Sequence, residues 1–236
     1  MDTPDILARC RELAFRVAPE LRERPLYVID GATSLAAGLS MAGCAGWAQG
    51  SWMPLPLRDV LGDVYRGAGP IIALDVEVIA AAAEGDDPER CTSAVMVHEL
   101  AHILPRADVP EPNDSGFQRL ADDVFAKMSN QWFERPDVED LDAMHDLAFI
   151  RRACHLTWRA VEAGYDVDIR DVHRQFGLCM RLFYGLFTPE AALMAGWSFG
   201  QIMATPPPAA AVERWEEDQA FLMGLRERGT RHGASD

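Results

Sequence analysis

The stretch "SAVMVHELAHILP", residues 93 to 105, constrains this chain more than any other. His98 and His102 stand four apart with Glu99 between them, inside a run that otherwise has the make-up of a buried helix. Residues four apart on an α-helix lie about 40° from each other around the axis and about 6 Å apart along it, so the two imidazoles point the same way. Met96, Val97, Leu100, Ile103 and Leu104 fall on the opposite side of the wheel. The helix is therefore expected to pack an apolar face into a core and to present both histidines to a cleft.

Two imidazoles in that arrangement can grip one Zn²⁺ ion from one side. Glu99, about 100° round from His98, is badly placed as a ligand and well placed to reach a water on the metal. That is where a general base belongs, because zinc acidifies the water and polarises a carbonyl while the carboxylate takes the proton.

A third protein ligand must come from elsewhere, with the fourth position left to water. Asp108, six residues past His102, is one candidate, although Pro105 stands where the chain would have to turn back. Glu162, four before Asp166, is another, with Gly164 marking the end of its helix. A helix expected over 137–163 crowds His145, Arg151, Arg152, His155, Arg159 and Glu162 into a sector of about 120°. Such a stripe either lines the metal cleft or forms a solvated, salt-bridged face. His145 and His155 are ten residues apart, about 15 Å along a helix, so both cannot bind one ion. His155, or Arg151, is then a candidate catalytic donor to the oxyanion of a tetrahedral intermediate.

The rest of the chain supplies the frame. "PDILARCRELAFRVAPELRER" predicts an amphipathic first helix, and "LYVID" and "IIALDVEVIA" predict strands. The Gly-, Ala- and Pro-rich run between them, residues 31–57, reads as irregular with room for a short helix. Past the motif the pattern is helical, roughly over 117–134, 137–163, 167–187 and 189–203. Strands before the motif and helices after it predict an α+β domain over 1–204. "TPPPAAA" reads as a stiff linker to a C-terminal helix and tail, 205–236.

Net charge of −15 over 236 residues argues against a broad nucleic-acid-binding face. The five cysteines are scattered without a CxxC pair, which implies reduced thiols rather than a disulfide framework. An acidic start in place of a positive leader region, and no segment of membrane-spanning length, predict a cytoplasmic protein with no membrane association.

"HELAH" followed by "HDLAF" resembles the pattern of SprT-like and related small zinc peptidases, in which HExxH is followed some tens of residues later by a histidine in an HxxxF context. The resemblance covers only these two short segments. It implies a zincin-like α+β fold, a small sheet packed on a mostly helical remainder, with zinc as cofactor and a peptide or protein as substrate. It also implies that His98, His102 and His145 are the ligands, Glu99 the base and Phe149 a packing residue beside them. The competing expectation is a binding or structural protein whose metal site is inactive or merely stabilising, such as an assembly or regulatory component of a mobile element.

Overall fold

A computed structural model describes residues 3–23, 25–39, 41, 45–49, 55–67, 69–83, 85–104, 145–172, 180–217 and 220. Asp108 and the helix expected over 117–134 lie outside these residues. Helix α1 (Thr3–Val17) buries Ile6, Cys10, Leu13, Ala14 and Val17 at helical spacing, and Pro19 converts its continuation into a 3-10 turn, Pro19–Glu23. Two strands follow one plan. β1 (Tyr27–Asp30) ends on Asp30, whose carboxylate accepts from the Thr33 N–H and starts α2 (Gly31–Ala36). β3 (Ile71–Leu74) gives way at Asp75, which accepts from the Val78 N–H and starts α4 (Val76–Ala82). The strand expected to run on past Asp75 is therefore cut short by a helix cap.

Between them lie a strand and a helix where the sequence reads as irregular: β2 (Gly46–Gln49) and α3 (Leu55–Leu61). The sheet order is β1-β3-β2, with β1 parallel and β2 antiparallel to β3. Alternation along β3 sends Ile72 and Leu74 to the main core and Ile71 and Ala73 to a smaller cluster with Tyr27, Ile29, Ala37 and Leu57.

The main core is built on α5 (Pro88–Ile103), packed between α1, the sheet and α6 (Leu147–Glu162). Asp87 caps α5 and Pro88 occupies its first turn. After α6 come the short α7 (Ile169–Val172), then α8 (Met180–Leu193) and α9 (Phe199–Ala204). The helix boundary expected near residue 188 is not there. Pro189 sits inside α8, where it removes only the ladder bond to the Gly185 carbonyl, and the break falls after Leu193, before the Ser198–Gln201 capping box of α9. Beyond the prolines, a helical stretch at 209–217 places Ala211 in the main core with Trp215 packed against it. The whole is an α+β arrangement, mostly helical with a small three-stranded sheet.

The centre of the polar stripe on α6, Arg151 to His155, is buried against other elements, while Glu162 at the end of the helix is exposed. Arg151, Arg152 and His155 are buried, and the arginines end other helices. Arg152 Nε donates to the Ala101 carbonyl in the last turn of α5 at 2.7 Å. Arg151 donates to the Ile202 and Thr205 carbonyls at the end of α9, and Arg159 to the Val17 carbonyl that ends α1. The last carbonyls of a helix lack ladder partners and carry its negative dipole end, so a cation satisfies both needs. Arg151 is also paired with buried Glu190 of α8, its Nε 2.7 Å from Glu190 Oε1. Truncating one partner of such a pair strands a buried charge. Glu190→Ala is expected to lower unfolding free energy by about 3 kcal/mol in a denaturant titration.

Candidate metal centre

α5 brings His98 and His102 to one side, as the four-residue spacing requires. The His98 ring is held from behind: its Nδ1 lies 2.8 Å from the Val172 carbonyl at the end of α7. A carbonyl only accepts, so Nδ1 carries the proton and the neutral ring keeps its lone pair on Nε2. That Nε2 stands 3.3 Å from His102 Nε2 and 3.1 Å from His145 Nε2. The ligand atoms of all three lie within 4.8 Å of one another. Nitrogens bound tetrahedrally to zinc at about 2.0–2.1 Å sit roughly 3.3–3.4 Å apart, so the two short spacings fit such an ion. Phe149 closes the group from below, its ring centroid 5.0, 4.4 and 4.8 Å from those of His98, His102 and His145.

His145 does not ride on the helix as its sequence position suggests. α6 starts at Leu147 because Asp146 caps it, accepting the Phe149 N–H at 2.7 Å, and His145 is the turn residue just before that cap. It is 5% exposed. The cap thereby fixes the third imidazole at the mouth of a rigid helix, with Phe149 one turn along.

Glu99 is buried, 6% exposed, against the backbone of β2. A Cβ on Gly46 would come within 2.6 Å of Glu99 Oε1 and 2.7 Å of Val95 Cγ1. Any side chain at 46 would have to push Glu99 and Val95 aside. Burial raises the Glu99 pKa to about 8. Burial also lowers that of His98 to about 4, helped by His145 beside it and opposed by the bond to Val172. Both shifts favour neutral forms in a site without an ion.

The other candidates lie elsewhere. Glu162 is the exposed last residue of α6, and neither it nor Asp166 belongs to the histidine group. His155, the candidate oxyanion donor, is also outside it, buried between Arg151 and Arg159 with no hydrogen bond to either ring nitrogen. Two contributors were invisible in the residue pattern. The Val172 carbonyl is a backbone group, and Gly46 is one glycine in a small-residue run; no local signal marks either.

The fold and the site together define an α+β protein with a buried three-histidine group able to hold a metal ion. No family model matches the chain, and neither a curated protein nor a solved structure matches it. Among the described residues no helix is long and apolar enough to cross a membrane.

Burial, with Arg151 and Arg159 adding to it, lowers the His155 pKa to about 4, below the usual 6.5 or so of an unfolded chain. Between those values the unfolded state binds the extra proton. The stability His155 secures is therefore complete above about pH 6.5 and lost as pH falls toward 4. Denaturant unfolding is expected to show His155→Leu losing about 2 kcal/mol less than wild type between pH 7 and pH 4.5.

Proposed function

We propose that this protein is a zinc-dependent peptidase, or a closely related amide hydrolase, of zincin-like fold. The observation that carries the reading is the convergence of the three histidines, with the Nε2 atoms of His102 and His145 at spacings from His98 Nε2 suited to one tetrahedral ion. The motif resemblance to SprT-like peptidases points the same way, and HExxH on a buried helix supplies Glu99. An ion held there supplies Lewis acidity, bringing the pKa of a water toward about 7 and polarising a substrate carbonyl.

The chain's own residues do the rest. Three neutral imidazoles would hold the ion, with His98 oriented by the Val172 carbonyl. Glu99, whose pKa burial raises to about 8, would be drawn toward its ionised form by a dication held at the histidines, and its carboxylate could then take a proton from a water and hand it to the leaving amine. Strand β2 offers a place for an extended substrate. The Asp75 N–H donates to the Ala45 carbonyl, so the alternation of an antiparallel ladder turns the main-chain groups of Gly46 and Ala48 to the outer edge. Among the described residues no strand pairs with that edge. A peptide laid along it would run beside Glu99.

The burial of His145 and Phe149 favours a second reading, in which the ion only staples α5 to the start of α6. A substitution separates the two. Under the peptidase reading, Glu99→Gln retains about one zinc per chain by elemental analysis and loses 10²-fold or more of the hydrolysis of a peptide library, whereas His145→Ala loses the metal. A wild type that binds zinc and cleaves nothing that Glu99→Gln spares supports the staple instead.

A further inference from the structure

We propose that Arg90 is a positioning residue of the metal centre, acting through Asp171 on the carbonyl that orients His98. The inference rests on the metal reading above and extends it to a side chain remote from the ion. Two residues of α5 grip two consecutive residues of α7. Arg90 Nη2 donates to Asp171 Oδ2 at 2.6 Å, and His98 Nδ1 donates to the carbonyl of Val172 at 2.8 Å. Arg90 and His98 are eight residues apart, about 12 Å along the helix, and the long arginine side chain spans part of that distance. Arg90 Nε also lies 3.8 Å from Asp166 Oδ2, so the guanidinium sits between a carboxylate that precedes α7 and one within it.

The arrangement asks more of α7 than packing. A single-turn helix has almost no internal ladder to set its own geometry, and its last carbonyls need outside partners. The buried Val172 side chain anchors α7 by apolar contact but does not set the direction of its carbonyl. A part-buried guanidinium with one short charged bond to the preceding residue does, because it fixes the turn about the α7 axis. A carbonyl held this way fixes both the tautomer and the ring plane of His98, and with them the Nε2 that the other two rings share.

The test uses the full-length protein and zinc itself. Affinity is read by competition with a chromophoric chelator for wild type, Arg90→Ala, Arg90→Lys and Asp171→Asn, and the visible spectrum of each Co²⁺-loaded form reports ligand geometry. Arg90→Ala and Asp171→Asn are expected to bind zinc roughly 10- to 100-fold more weakly with a shifted cobalt band, and Arg90→Lys to recover part of both. Should Arg90→Ala fail to fold, the isosteric Asp171→Asn carries the comparison. Wild-type affinity and an unshifted cobalt band in Asp171→Asn would overturn the positioning role and leave the metal reading standing. A wild type that takes up no zinc would sink the metal reading, and this inference with it.

Discussion

Three guanidinium groups on one helix, those of Arg151 and Arg152 buried and that of Arg159 half-buried, terminate three other helices, and the remainder of the fold is arranged around that fact. Arg151, Arg152 and Arg159 of α6 satisfy carbonyls at the ends of α9, α5 and α1. Taking a cation out of water is costly, and these recover that cost by meeting helix-end carbonyls and, for Arg151, the Glu190 carboxylate as well. The bonds work in both directions: without the arginines, the helix ends would have to reach water, and without the helix ends, α6 would have to turn its stripe outward. α6 is thus tied by specific polar contacts as well as by its apolar face.

The candidate metal centre inherits this rigidity. Arg152 secures the last turn of α5 one residue before His102, while the Asp146 cap at the other side of α6 holds His145. Two of the three imidazoles are therefore indexed to the same helix by different bonds. His98 is indexed separately, through α7. A core helix carrying two histidines and a glutamate would ordinarily be a liability. Here each group has a fitted neighbour: a carbonyl behind His98, the glycine of β2 against Glu99, an aromatic ring beside all three imidazoles.

Much of this was legible in the residues, and the limits have physical causes. The α5 face could be read because its apolar period and its two histidines sit in one continuous segment, where 3.6-residue geometry applies without knowledge of neighbours. β1 and β3 announce themselves by Val and Ile. β2 does not, since Gly46, Trp47, Ala48 and Gln49 include no β-branched residue; the glycine at 46 answers to Val95 and Glu99 on a helix some fifty positions later. The α6 stripe was visible as a stripe, but whether charge on a helix meets solvent, an ion or another helix's carbonyls depends on tertiary packing alone. Asp30, Asp75 and Asp146 could each have been residues within an element; capping made them boundaries.

The separation of His145 from His98 along the chain, 47 positions, gives an ion at this site a further effect. It would act as a cross-link. A bond that closes a loop of this length removes conformational freedom from the unfolded chain worth about 4 kcal/mol in the loop-entropy account, whether or not the ion ever meets a substrate. Metal supply would then set the lifetime of the folded chain as well as its chemistry, and depletion would be felt first as a protein that unfolds more readily.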